Sequence, residues 1–404
     1  MIDVFRDIQT LLLDDLDITT KRFLYHEIDL TPRLIGIVGP RGVGKTTLFL
    51  QLLKENTSLR NESFYFSADH FYFSNNSLFD FIRDLHLLEG VSRVFIDEIH
   101  KYPDWNQELK NIYDSFPRLH IVFSGSSTLD LIQGSYDLSR RAVLFRLPGL
   151  SFREYLNLRL DTHFDKISLN TIVTNPQSFR GIASMQGLLG HFRTYLATGY
   201  YPFYFSDSIH FYQRLQRVID KIIYEDIANH YRLKTANLHY FKKLLYYLAT
   251  IPPGEINTHS LAKNLGIDDK TVQHYIQILL DTGLARGVPG QKHGSALLRK
   301  PTKLYLDNPS MQHALCHEIG AEENTGTLRE LFFLTSLMNV AEKPLYDAGQ
   351  GGDFRVRDIV FEIGGKNKRK NQLKDVKEQS FIVKDDILTA SASTIPLYCF
   401  GFLY

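Results

Sequence analysis

Cysteine is nearly absent from this sequence. Only Cys316 and Cys399 occur in 404 residues, too few and too far apart for a disulfide framework or a thiolate metal site. They read as buried thiols in a reducing compartment, so the cytoplasm is the expected location. No apolar run approaches the roughly 20 residues needed to span a bilayer, and no membrane partner is expected. The start, MIDVFRDIQTLLLDD, lacks the basic opening and small-residue cleavage site of a secretory signal. An excess of charge is missing as well. The chain carries 46 Lys and Arg against 45 Asp and Glu, net +1, so any nucleic-acid contact has to be local.

What is present is a 44% hydrophobic fraction, ample for buried cores, over a length that calls for two or three domains. Up to about residue 150, short β-rich runs alternate with amphipathic stretches: LIGIV (34–38), FYFSA (64–68), RVFID (93–97), LHIVFSG (119–125) and VLFRL (143–147). This alternation predicts a parallel sheet covered by helices. Residues 151–245 turn helical, with SFREYLNLRL and FYQRLQRVIDKIIYEDIANHY the clearest segments. Residues 246–300 form a smaller unit opening on the turn signal PPG, and 301–404 mix helix (TLRELFFLTSLMNV) with strand-like runs (DIVFEIG, LYCFGFLY).

The strongest local signal is GPRGVGKT at 39–46, between a buried strand and the helix-forming TTLFLQLLKE. Two glycines around four residues, then Gly-Lys-Thr, is the pattern of a phosphate-cradling loop. Gly39, Gly42 and Gly44 let the backbone curl so that its N–H groups face phosphate oxygens, and the following helix adds its positive dipole end. Pro40, Arg41, Val43 and Thr47 complete the loop. Lys45 is placed for the β- and γ-phosphates, and the Thr46 hydroxyl for Mg²⁺. The third strand, RVFIDEIHKYPDW, ends in Asp97-Glu98 at the edge where ligands sit in open α/β sheets. Asp97 is the expected second magnesium residue, and Glu98 the base that polarises an attacking water. A base beside magnesium implies hydrolysis rather than transfer to a metabolite. The fourth strand, LHIVFSGSS, offers Ser126, with Ser124 second, to orient that water or sense the γ-phosphate. DLSRRAVLFRL offers Arg140 or Arg141 as an arginine finger. No N-K-x-D motif for guanine stands in the appropriate region.

Taken in order, GPRGVGKTTL, FIDEIHKYPDWNQELKNIYD, VFSGSSTLDL and LSRRAVLFRLPGLSFREYL resemble a widespread group of prokaryotic AAA-type ATPases. These are the archaeal-ATPase-like proteins, whose C-terminal domain of unknown function has a restriction-endonuclease-like core. The resemblance continues through YLATGYYPFY (195–204) and FEIGGKNK (361–368). It implies ATP binding by residues 39–47, magnesium at Thr46 and Asp97, and a hydrolytic base at Glu98. The group's LAGR segment falls on Leu138-Ser139-Arg140-Arg141, which favours Arg141, with Ser139 and Arg140 in place of Ala and Gly.

Two downstream modules bear on nucleic acid. Residues 257–290 read as a helix–turn–helix with a wing strand. Thr258 and Asp268 are expected N-caps, Gly266 the turn, and Gly283 the end of the second helix. Leu261, Ala262, Leu265, Val272, Ile276, Leu279 and Leu280 form its expected apolar face. Lys270, Gln273, His274 and Gln277 point outward, where a winged helix meets DNA, but this basic surface is thin, and packing against a partner protein or neighbouring domain is the favoured reading. In the tail, GGDFRVRDIVFEIGGKNK resembles the Asp…Glu-x-Lys set of restriction endonucleases, with Asp353, Glu362 and Lys366 as members and Glu330 as a fourth. Two extra glycines separate Glu362 from Lys366, where the usual spacing has only one residue between them. A fold kept for structure or binding is therefore the favoured reading of the tail.

The expected architecture is α/β: an AAA-type P-loop core (1–150), a helical lid or linker (151–245), a winged helix (246–300) and a restriction-endonuclease-like α+β domain (301–404). The expected function is Mg²⁺-dependent ATP hydrolysis driving a conformational switch or the remodelling of a partner, protein or DNA, with a homo-oligomer as one arrangement. An ATP-gated nuclease and a non-catalytic, nucleotide-sensing DNA binder are the alternatives.

Overall fold

The apolar runs of the first 150 residues assemble as one sheet. In the computed structural model, which describes all residues except 17–19, 126–137, 139, 255, 291–302, 341–344, 370–371 and 375, the chain forms two compact units, Met1–Gly149 and Leu150–Tyr404.

The first unit holds strands β1 (Leu34–Val38), β2 (Ser63–Ser67), β3 (Arg93–Asp97), β4 (His120–Gly125) and β5 (Val143–Arg146). Their spatial order is β2-β3-β4-β1-β5, and every pairing is parallel. Near-continuous apolar strands are what a sheet covered on both faces requires, and strand alternation divides their side chains between two cores. Leu34, Val38, Phe64, Phe66, Val94, Ile96, Ile121 and Phe123 face one core, covered by the helices Leu78–Leu87 and Trp105–Ser115. Ile35, Ile37, Tyr65, Phe95 and Val122 face the other, under the helix Lys45–Glu55, which contributes Leu48, Phe49, Leu52 and Leu53. The N-terminal helix α1 (Ile2–Asp14) wraps the β2 edge, with Phe5 in the first core and Leu13 in the second. Between them, Gln9 Oε1 accepts from Tyr65 N at 2.8 Å, so one N–H of the edge strand is satisfied by a side chain.

The second unit is α+β. It opens on the helix Phe152–Leu160, whose N-terminus is closed by a capping box between Ser151 and Glu154. A helix pair, Thr258–Leu265 and Asp269–Asp281, is followed by the antiparallel hairpin β6 (Ala285–Val288) and β7 (Lys303–Leu306). Strands β8 (Leu345–Asp347), β9 (Phe354–Val356) and β10 (Ile359–Gly364) form an antiparallel meander, extended in parallel by β11 (Gln379–Lys384) and β12 (Thr394–Pro396). The helix Thr325–Asn339 packs on β10.

The segment YLATGYYPFY belongs to a buried polar hub. Arg286 Nη2 lies 2.8 Å from Asp307 Oδ1, both side chains 4% exposed. Asn308 Nδ2 donates to Tyr201 Oη (3.1 Å) and Asn339 Nδ2 to Tyr404 Oη (2.8 Å). Polar groups this deep persist because they are bonded to one another.

Three local expectations are corrected. Asn257, not Thr258, caps the first helix of the pair, its Oδ1 accepting from Ser260 N at 3.0 Å. The buried face of the second helix is Val272, Tyr275, Ile278 and Leu279, while Ile276 and Leu280 are half-buried. LYCFGFLY is a 3₁₀ helix over Leu397–Phe402 rather than a strand; every one of those six residues is buried, and a wholly apolar run carries no period to tell the two apart. Among the described residues no helix is long and apolar enough to cross a membrane.

Candidate functional site

The phosphate loop follows β1 and leads into the helix Lys45–Glu55. Gly42 (φ 79°) and Gly44 (φ 95°) adopt left-handed backbone that only glycine takes without strain, and so turn the chain back toward the helix start. Gly39 is glycine for a different reason: a Cβ there would stand 2.0 Å from the Leu147 carbonyl oxygen. Lys45 is 4% exposed, and its Nζ donates to the carbonyls of Gly39 (2.9 Å) and Pro40 (3.0 Å). The ammonium thus bridges the opening residues of the loop, a buried cation for which a phosphate oxygen is a natural counter-charge. Thr47 is exposed.

Beside the loop lies Asp97, 3% exposed at the end of β3. Its Oδ2 accepts from Thr46 Oγ1 at 2.5 Å and from Tyr65 Oη at 3.2 Å, and its Oδ1 from Ser124 Oγ. Burial pushes the Asp97 carboxyl upward in pKa, against the lowering effect of the Ser124 and Thr46 hydroxyls. A divalent cation would relieve that penalty by pairing with the charged form. Burial, with Asp97 nearby, pushes Tyr65 upward too, so its phenol stays a donor.

Glu98 follows with φ 49°, a strained conformation for a non-glycine residue at a strand end. Its N–H is held by Ser124 Oγ (3.0 Å) and Asp97 Oδ1 (3.1 Å). Its Oε2 is buried without a hydrogen-bond partner among the described residues, and the His100 Nε2 stands 3.4 Å away. A carboxylate held in place at the strand end beside the Asp97–Thr46 pair can receive a proton from a bound water. The donor set Thr46 Oγ1 and Asp97, hard oxygens that leave further ligand positions to water and phosphate, fits Mg²⁺.

Position by position, the loop, Asp97 and Glu98 are brought together. Ser126 and Ser139 lie outside the described residues. Ser124 is fully buried in the site, and its place follows from register, one step beyond the Ile96–Phe123 pair of β3 and β4. Tyr65 and His100 join the site without belonging to any of its sequence motifs. Tyr65 shares a sheet face with Phe95 by strand alternation, which is the signal for it; nothing marks His100 beyond its nearness in sequence to Glu98.

Arg141 is not brought to its own phosphate loop. β5 runs parallel to β1 with Ile35 opposite Val143, so Arg141 sits at the N-terminal edge of the sheet and the loop at the C-terminal edge. At strand rise that is about 15 Å of sheet. There Arg141 Nε donates to Asp114 Oδ1 (3.2 Å), and its guanidinium lies 5.9 Å from the Tyr113 ring centroid. Arg140 is exposed.

In the second unit, Lys303 Nζ lies 3.5 Å from Asp347 and 3.9 Å from both Glu330 and Asp353. Tyr305 Oη donates to Glu330 at 2.6 Å, and Asp353 Oδ2 accepts from Ile363 N at 2.7 Å. The lysine on buried Glu362 is Lys368, not Lys366, which is exposed. The turn after β10 carries Lys366 out and returns Lys368, so spacing counted along an ideal strand picks the wrong residue. Among the described residues no group of three or more His, Cys, Asp or Glu could hold a metal ion.

On the helix pair, Lys270 is exposed, but Gln273 Nε2 donates to Asp269 (2.5 Å) and Gln277 Nε2 to Asp281 (2.7 Å). Both amides, with His274, Ile276 and Leu280, line a cavity of about 530 Å³. A concave face whose donors are engaged by carboxylates is a poor match to a phosphate backbone.

Residues 31–156 match a family model described as an AAA domain, and residues 189–324 match a domain of unknown function. An uncharacterized protein of Methanocaldococcus jannaschii is 29% identical over 402 residues, covering 92% of this chain and 84% of that one. Among solved structures, C. elegans PCH-2 is similar at 18% identity and a TM-score of 0.29, over 50% of this chain and 57% of PCH-2. AMPPCP-bound DnaA from Aquifex aeolicus is similar at 16% identity and a TM-score of 0.25, over 69% of this chain and 87% of DnaA.

Proposed function

We propose that this protein binds ATP on residues 39–47 and hydrolyses it with Glu98 as the base. The observation that carries the reading is the placement of Glu98, its N–H held by Asp97 and Ser124, one residue past the Asp97–Thr46 pair and at the same sheet edge as the phosphate loop. Lys45 exchanges its carbonyl partners for phosphate oxygens, and Thr46 with Asp97 holds Mg²⁺, which supplies charge neutralisation of the phosphates. Ser124 keeps the Asp97 carboxylate and the Glu98 backbone in register. Glu98 takes the proton of the attacking water.

Arg141 stands about a sheet's height from the loop that precedes it in sequence, so as a finger it serves a second copy of the chain. The output is a conformational switch or remodelling of a partner, protein or DNA. The lid, winged-helix and endonuclease-like divisions of residues 151–404 remain parts of this proposal. The lysines seated on the acidic cluster and the engaged glutamines weigh against the nuclease and DNA-reading alternatives. The test is a titration of fluorescent ATP with Mg²⁺ against the wild type and Lys45→Ala. Saturable binding that the variant loses supports the reading; binding indifferent to Lys45 refutes it.

A further inference from the structure

One side chain outside the motifs joins the phosphate loop to the end of the first unit. Arg22 lies before β1 and is 7% exposed. Its Nη1 donates to the Val43 carbonyl at 2.5 Å, and its Nη2 to the carbonyls of Pro148 (2.7 Å) and Gly149 (3.0 Å). Val43 sits inside the loop, and Gly149 is the last residue of the first unit. A second contact joins the same two segments. Leu147 N donates to Val38 O at 2.8 Å, and the Leu147 carbonyl closes over Gly39 so tightly that no Cβ fits.

We infer that Arg22 is a positioning residue and relay, coupling nucleotide occupancy of the loop to the conformation of Leu147–Gly149. In a trans peptide the carbonyl and the following N–H point in opposite directions. Drawing the Val43 carbonyl onto Arg22 therefore turns the Gly44 N–H the other way. A phosphate bound by that N–H and by Lys45 pulls on the peptide whose other end Arg22 holds. The guanidinium is a rigid plane, so Nη1 cannot follow Val43 without Nη2 moving against Pro148 and Gly149. Leaving a buried guanidinium short of an acceptor is costly, so the three carbonyls shift as a set. By linkage, the strip's conformation must in turn alter nucleotide affinity. The inference rests on nucleotide binding at residues 39–47.

The test is hydrogen exchange of the full chain, read on a peptide spanning 145–152, with and without Mg²⁺ and a slowly hydrolysed ATP analogue. Binding is measured in parallel by calorimetry. The wild type should change exchange in this peptide by about threefold or more on binding. Arg22→Met should bind the analogue and lose that response. Arg22→Lys, which keeps the charge but not the two-armed fork, should lose it as well and carries the comparison if the Met variant does not fold. A response that survives in either variant, or its absence in a wild type that binds, overturns the relay alone. A wild type that binds no analogue overturns the nucleotide reading along with it.

Discussion

The Nε2 of His100 stands 3.4 Å from the Oε2 of Glu98, with the His100 side chain 3% exposed. A buried imidazole at that distance limits the orientations open to the carboxylate, and orientation is what a general base requires. His100→Leu should lower kcat for ATP hydrolysis by about tenfold with KM unchanged, as expected of a group acting on the base rather than on nucleotide. His100→Gln, which can place an amide N–H near the same point, should recover most of the rate. A change in KM alone, or no recovery by Gln, would contradict a positioning role.

Arg141 and the phosphate loop lie at opposite edges of one sheet, and that separation makes a prediction about stoichiometry. Arg141→Ala and Glu98→Gln should each be nearly inactive alone, by about 10³-fold for the arginine. Mixed, they should regain phosphate release, because the first supplies a working base and the second a working arginine. A mixture no faster than its components would place the arginine's action elsewhere.

Burial, together with Asp353, pushes Glu330 from 4.5 up to about 7. A carboxyl raised by folding holds its proton more tightly in the native state. Its contribution is therefore full below about pH 4.5 and is lost as pH rises through 7, amounting to about 3 kcal/mol at most. Glu330→Gln imitates the protonated form. The stability of this variant relative to wild type, from urea unfolding, should rise between pH 5 and 8. A difference independent of pH would contradict the shift.

The hub around Arg286 and Asp307 gives a stability prediction. Both side chains are 4% exposed, so removing one partner leaves an uncompensated buried charge. Arg286→Met should destabilise the second unit by about 3–5 kcal/mol. A loss below about 1 kcal/mol in chemical denaturation would mean that the remaining polar groups re-pair.

The sheet was legible because its strands are short, apolar and separated by helical stretches. The phosphate loop was legible because glycine, lysine and threonine at fixed spacing have few other uses. Asp97 and Glu98 followed from their place at a strand end. Ser124 was legible only as the second choice to Ser126, and preferring it, like finding Tyr65, required the register of neighbouring strands, which one sequence does not display. Arg22 was invisible for a stronger reason, since the Val43, Pro148 and Gly149 carbonyls it bonds lie 21 to 127 residues away and any residue type supplies a carbonyl. Lys368 displaced Lys366 because a turn, not a strand, follows Gly364.

The central claim is that Glu98 cuts what the loop holds, and phosphate release from Mg²⁺-ATP tests it most directly. Measured on wild type and Glu98→Gln with nucleotide binding confirmed for both, the account predicts turnover in the first and a loss of about 10²–10⁴-fold in the second. Equal rates in the two proteins, or no release by a wild type that binds ATP, would contradict it.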